Sequence, residues 1–379
     1  METPQLVFQT AVVDYVFPST DSRAELINSR EFIPENNVIT GIKVFEGEIF
    51  LSVPRWKTGV PSTLNKLDLS SGKLVPFPSL AFNEPEVLTY VQSMEIDSKG
   101  RMWILDVGRL NFMETDTSLI RNLQPKLLIY DLKRGCVVKK HLFPDEVAPR
   151  NSSFLNDLVL DQENGMAFIS DTGGNGGIVV YDLESDSSWR FTDESLEGHD
   201  AKFTVGGKSF PFKIPVNGIA LSPDCKYLYY STISSPILYR IMTKILRHKK
   251  FDEFHDYVDK VGVKGVSDGM TFDSKGRLYF ASMEQDAIKV WDSKHEATIE
   301  ESKVIFSDID TNVWPDTFAY DNHFLYWTTN RLPYFLHDEL DFQSSNANFR
   351  VFRIETDAQS YLEAQDIEED IQLDCVSLE

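Results

Sequence analysis

Short apolar runs alternate along the chain with clusters of Gly, Pro, Asp, Asn and Ser. One arrangement returns six times: a polar residue, a small or polar one, then apolar positions. The copies are Thr40-Gly41-Ile42-Lys43-Val44, Gln92-Ser93-Met94-Glu95-Ile96, Asn156-Asp157-Leu158-Val159-Leu160, Asn217-Gly218-Ile219-Ala220-Leu221, Asp268-Gly269-Met270-Thr271-Phe272 and Asp316-Thr317-Phe318-Ala319-Tyr320. Most run into turn chemistry such as Asp97-Ser98-Lys99-Gly100 or Asp273-Ser274-Lys275-Gly276, and an aromatic or aliphatic second strand follows, as in Met102-Trp103-Ile104-Leu105 or Leu325-Tyr326-Trp327. Third strands fall at 63–67, 127–130, 178–181, 237–241, 288–291 and 349–354. Repeats of 48 to 64 residues, each strand-turn-strand-loop-strand, predict an all-β fold: a six-bladed β-propeller of four-stranded antiparallel blades around a central channel. A sandwich would not repeat six times, and an α/β barrel needs an amphipathic helix after every strand. The alternating run 6–17 is expected to close the last blade, and the one sizeable helical pattern lies in 241–261.

The 379 residues are read as one domain with an acidic tail over about 357–379. Composition is that of an ordinary globular chain, with 42% apolar and 25% charged residues. The formal charge of −22 repels phosphate backbones and anionic lipid, so neither nucleic acid nor a membrane is an expected partner. The longest uncharged stretch, 227–239, is too short to span a bilayer, and no signal peptide is visible at the start. Cys136, Cys225 and Cys375 allow at most one internal disulfide.

Several segments carry a family resemblance. Arg30-Glu31-Phe32-Ile33-Pro34-Glu35-Asn36-Asn37, Gly41-Ile42-Lys43-Val44 and Val53-Pro54-Arg55-Trp56-Lys57-Thr58-Gly59-Val60-Pro61-Ser62-Thr63-Leu64 resemble the N-terminal signature of the yellow and major royal jelly protein family. Trp103-Ile104-Leu105-Asp106-Val107-Gly108 is similar to that family's Trp-Leu-Asp-Thr-Gly segment, with Val107 replacing threonine; Phe154-Leu155-Asn156-Asp157, Ala167-Phe168-Ile169-Ser170-Asp171 and Thr329-Asn330-Arg331-Leu332 also match. The resemblance covers nearly the whole chain. It implies a six-bladed propeller, secretion in most members, and functions from dopachrome conversion and amine binding to storage. The family's blade cysteines are missing: Gln92-Ser93-Met94 and Leu158-Val159-Leu160 stand at those positions. A reducing agent is therefore expected to leave the melting temperature nearly unchanged.

In a propeller the first residues of the repeats converge on the axis, so Thr40, Gln92, Asn156, Asn217, Asp268 and Asp316 should form one polar ring at a channel mouth. Asp268, Asn217 and Asp316 are the candidate catalytic residues, a carboxylate serving as acid or base and the amide orienting substrate. Thr40, Gln92 and Asn156 are candidate ligand contacts, with Trp56, Trp314 and Phe318 supplying flat apolar surface. The family's Ser-Asn-Arg segment implies a pocket position for Asn330. Pro215-Val216-Asn217-Gly218 and Ser267-Asp268-Gly269-Met270 are similar to metal-binding segments of gluconolactonase-like propellers, but Thr40 or Lys43 stands where those enzymes need a glutamate. No cofactor is expected, and Ca²⁺ is the alternative. No zinc pattern or Gly-x-Ser-x-Gly elbow occurs, and Gly173-Gly174-Asn175-Gly176-Gly177 precedes a strand, unlike a phosphate loop. The expected function is non-hydrolytic isomerisation, tautomerisation or cyclisation of a small aromatic, conjugated or cationic molecule at the mouth. The alternatives are an amine-binding protein and a metal-dependent lactonase.

Overall fold

A computed structural model describes residues 3–198, 202–210, 213–248, 254–343, 346–365 and 371–377. Its six four-stranded antiparallel sheets are the blades of a β-propeller. Their innermost strands are Ile42–Phe45, Val91–Ile96, Leu155–Asp161, Val216–Leu221, Met270–Phe272 and Trp314–Asp321. Each packs against the innermost strands of both neighbouring blades, so the ring is complete. The turns form for the reason the sequence gives. Asp97 Oδ1 accepts the N–H groups of Lys99 and Arg101 while Gly100 takes φ +79°, and Asp273, Lys275, Arg277 and Gly276 (φ +90°) repeat the arrangement in blade 5.

Neighbouring blades are stitched at one repeated position. Ser52, Ser170 and Thr328, each near the end of a second strand, donate their hydroxyls to the carbonyls of Gln92, Asn217 and Thr40 on the next blade, at 3.0, 2.6 and 3.1 Å. The last of these bonds joins blade 6 to blade 1. Blade 6 itself is completed by Phe349–Glu355 and, outermost, by the N-terminal strand Gln5–Thr10, with Gln5 opposite Arg353 and Thr10 opposite Phe349. The chain ends thus close the ring as expected, but the strand stops at Thr10. Beyond it the chain crosses to blade 1, where the buried Tyr15 hydroxyl donates to Asn37 Oδ1 at 2.7 Å.

Three further expectations are corrected. The 241–261 pattern holds only the short helix Thr243–Leu246 and the turn His255–Tyr257, with 249–253 outside the described residues. Val258–Val263, rich in β-branched valine, is the outer strand of blade 4. The longest helix among the described residues, Thr20–Asn28, has no buried residue to produce an apolar period; it is set by the Ser19–Ser22 capping box. Third, Cys136 and Cys375 form a disulfide across 239 positions, which overturns the expected indifference to reductant.

That disulfide anchors the C-terminal segment, which is no loose acidic tail. From blade 6 it reaches blade 5, where Ser274 N–H donates to the Gln359 carbonyl. It then crosses the axis below the strand ends. There Tyr361 and Leu362 are buried, and Gln365 Nε2 donates to the Leu160 carbonyl of blade 3. Finally it docks along blade 2 through Val376 N–H to the Val137 carbonyl at 2.8 Å. A cavity of about 280 Å³ remains between this strap and the ring. Among the described residues no helix is long and apolar enough to cross a membrane.

Candidate functional site

The six predicted ring residues stand on six blades, at or just before the start of the innermost strands. Thr40 is almost wholly buried, and the other five keep 7–9% of their surface. Pairing is interrupted at the ring in four blades, between Val91 and Ser93, Leu155 and Asp157, Val216 and Ile219, and Pro315 and Phe318. Such a bulge re-aims side chains, so successive residues can serve the channel. Asn156 Nδ2 donates to Asn217 Oδ1 at 2.8 Å, and the Trp314 indole N–H donates to Asp268 Oδ2 at 2.7 Å. Asn330 Nδ2 donates to Asp316 Oδ2 at 2.8 Å and to the Ile39 carbonyl, while its Oδ1 accepts Leu332 N–H. Asn330 thus holds both a site carboxyl and the ring closure.

Below this tier lie residues that sequence reasoning missed. Lys43 Nζ pairs with Glu95 Oε2 at 3.0 Å and donates to the Phe318 carbonyl at 3.1 Å. Asp157 Oδ1 accepts Ser93 Oγ–H at 2.9 Å. From the strap, the Tyr361 hydroxyl reaches Glu95 Oε2 at 3.4 Å and accepts Leu160 N–H at 3.0 Å. A signal existed: Lys43 and Glu95 are charges at the repeat position where the other copies carry Val, Ala or Thr, and Asp157 is a charge where they carry Gly, Ser or Thr.

Three channel carboxyls interact. Burial pushes Asp157 up to about 6, with Lys43 opposing. Burial also raises Asp268, despite the stabilising indole bond, and repulsion from Asp157 adds to it. Asp316 is raised well above the ordinary carboxylate range, by burial and then by Asp268. Carboxyls that disfavour each other's charge hold protons to higher pH than isolated carboxylates do.

Trp56 and Trp314 join an apolar cluster with Tyr90, Phe203, Phe210 and Phe335 on the side from which the inner strands start. The hairpin of Phe203–Val205 and Lys208–Phe210 reaches Trp314 there, with ring centroids of Phe210 and Trp314 5.7 Å apart. The Phe318 ring packs between blades with Tyr279 and Trp327, so that residue offers the channel its carbonyl. Motif residues of the family resemblance prove structural. The Arg55 guanidinium donates to five carbonyls, those of Val60, Pro61, Asn83, Leu88 and Thr89. Asp106 accepts three backbone N–H groups and pairs with Lys126 at 2.7 Å.

The donor set does not assemble a Ca²⁺ cage. Asn217 Oδ1, Asp268 Oδ2 and Asp316 Oδ2 are engaged by Asn156, Trp314 and Asn330, and Lys43 brings an ammonium into the channel. Among the described residues no three His, Cys, Asp or Glu side chains converge on a metal position.

The sequence model of the family described as Major royal jelly protein matches residues 89–361. "Protein yellow" of Drosophila erecta is 27% identical over 367 residues, covering 90% of this chain, and that of Drosophila melanogaster is 26% identical over 366 residues. The chain spans 66% of the length of these curated relatives. Among solved structures, a luciferin-regenerating enzyme is similar with a TM-score of 0.53 and 15% identity, over 87% of this chain and 96% of that one. A gluconolactonase of Xanthomonas campestris has a TM-score of 0.50 and 12% identity, over 94% and 95%. Both likenesses concern the fold alone.

Proposed function

The chain belongs to the major royal jelly protein family, and on that premise we propose that it is an enzyme moving protons on a small conjugated or aromatic molecule at the ring-bearing end of the channel. One observation carries this reading: Asp268 and Asp316, electrostatic neighbours on adjacent blades, are each fixed by one N–H donor while burial and mutual repulsion keep a proton on the pair. A neutral carboxyl donates a proton at one substrate atom, and a carboxylate removes one from another. The sum is isomerisation or tautomerisation without consumption of water. General acid–base catalysis of this kind contributes about 10²–10⁴-fold. Asn217 presents an amide that can orient the substrate, and Trp314 lends an aromatic face. A secreted location fits the disulfide, since such bonds persist in oxidising compartments.

A second reading, capture of an organic cation, is favoured by the excess of channel carboxyls over cations and the overall charge of −22. A panel of aminochrome-type quinones and conjugated ketones, followed by absorbance and by proton NMR in D₂O, separates the two. Wild type is expected to convert or deuterate a panel member, with Asp268→Asn slower by about 10²-fold or more and Asn217→Ala weaker by about five- to 150-fold. Saturable calorimetric binding of amines with no product from any panel member assigns the second reading instead.

A further inference from the structure

Lys264 leads from the outer strand of blade 4 into blade 5, and its backbone N–H donates to the Pro236 carbonyl at 2.8 Å. Its side chain is buried, the residue keeping 4% of its surface. Among the described residues the other two buried lysines are paired: Lys43 with Glu95 at 3.0 Å and Lys126 with Asp106 at 2.7 Å. Lys264 differs. Its Nζ makes one long hydrogen bond, 3.5 Å to the carbonyl of Gly265, and lies 5.8 Å from the Phe280 ring centroid. Among the described residues it forms no ion pair, and Asp268 is the charged group that acts on it.

The surroundings hold more unused polarity. Ser231 and Thr232 end the second strand of blade 4, Ser267 precedes Asp268, and among the described residues none of these three buried hydroxyls has a partner. Ser231 occupies the position whose equivalents Ser52, Ser170 and Thr328 stitch other blades together. The seam between blades 4 and 5 therefore carries an amine without an ion-pair partner and three hydroxyls without a hydrogen bond, next to Asp268, whose Oδ2 accepts the Trp314 indole N–H. A buried polar group left unpaired is costly, and such groups are retained where they meet a ligand or do chemistry.

We propose that Lys264 is a nucleophilic amine that condenses reversibly with aldehydes or ketones entering the channel mouth, Asp268 carrying the proton. The neutral amine attacks the carbonyl carbon, and one of its two protons passes from nitrogen to the carbonyl oxygen, giving a carbinolamine. Asp268 then protonates the hydroxyl, which leaves as water, and nitrogen loses its remaining proton to the carboxylate. The balance is amine plus carbonyl to imine plus water, with no oxidant or metal. Burial pushes Lys264 down to about 7, with Asp268 opposing, so the reactive form is present at neutral pH. This activity goes beyond the proton-transfer reading, although both use Asp268.

The test treats the intact, oxidised protein at pH 7 with 4-hydroxybenzaldehyde and sodium cyanoborohydride, whose hydride reduces any imine to a stable secondary amine, and maps the adducts by peptide mass spectrometry. A surface lysine of ordinary pKa is about 0.04% neutral at this pH, so Lys264 holds an advantage of about 10³-fold; the α-amino terminus labels in every variant and serves as internal standard. Lys264 is expected to be modified first, with no label at that position in Lys264→Arg or Lys264→Met, and labelling at least tenfold slower in Asp268→Asn. Label confined to the terminus and surface lysines, with Lys264 untouched, overturns the proposal. Failure here, with Asp268→Asn still impairing turnover on the panel, removes the imine chemistry alone; retention of the label with no panel turnover removes the proton-transfer reading alone.

Discussion

Breaking the clasp between Cys136 and Cys375 should cost measurable stability. The perturbation is Cys375→Ser, or a reducing agent on the wild type; the third cysteine, Cys225, is buried and is no ready exchange partner. A cross-link between residues 239 positions apart removes about 18 cal/mol/K of chain entropy from the unfolded state, about 5.5 kcal/mol at 25 °C. Bonds from Gln365, Tyr361 and Val376 continue to hold the strap and offset nothing in the unfolded chain, so measured costs should fall within the usual 2–5 kcal/mol. Unfolding entropy of about 2.1 cal/mol/K per residue gives about 0.8 kcal/mol/K for 379 residues, so Tm should drop by about 3–6 °C. Differential scanning calorimetry measures it, and hydrogen exchange should show the amides of Tyr361–Ala364 opening faster in the variant. A wild type whose melt is identical with and without reductant, free thiols having been verified, would refute the clasp and restore the expectation drawn from the missing family cysteines.

Stability should fall as pH rises from 4 to 6.5. The raised carboxyl of Asp157 contributes fully below its unfolded value of 3.8 and loses that contribution as pH climbs through about 6, about 2 kcal/mol after allowing for channel water, so Asp157→Asn should flatten the slope of Tm against pH. Lys264 has the opposite sign. Its lowered value stabilises the fold above 10.5 and not near 7, so Lys264→Met should raise Tm by several degrees at pH 7 and by little at pH 10, as thermal melts at the two values will show. Arg55→Lys should cost about 3–5 kcal/mol in urea titration, because an ammonium cannot supply the planar fork that five carbonyls share.

What the sequence discloses about this molecule follows the physics of repetition. Six copies of one polar-to-apolar pattern place Thr40, Gln92, Asn156, Asn217, Asp268 and Asp316 on six blades, because a strand period of two repeated at fixed spacing has few closed solutions. The interior charges were less accessible. A bulge inserts one residue and breaks the alternation that separates inward from outward, so Asp157, next to Asn156, did not read as a second inward group. Lys43 and Glu95 looked like isolated charges until the ring brought their strands side by side and paired them across 52 positions. The strap was hidden for a different reason. Tyr361 and Leu362 are two apolar residues in an acidic stretch, and their burial depends on the channel mouth built by the rest of the chain. Arg55 and Asp106 show the reverse hazard, since a distinctive motif can be distinctive because a loop needs five carbonyls held.

Because the first strand of the chain pairs with nearly the last, the order of synthesis matters. Gln5–Thr10 leaves the ribosome long before Phe349–Glu355 exists. At about 5–20 residues per second the interval is roughly 20–70 s, during which a strand carrying Leu6 and Phe8 has no edge to join. The nascent protein is then an open crescent with two unsatisfied blade faces, a natural client for chaperones, and a product truncated before Phe349 cannot shut. A circular permutant that begins at residue 346, so that the two partner strands are made consecutively, should give a larger soluble fraction from chaperone-depleted translation than the natural order, and an equal yield would show that the wait is harmless.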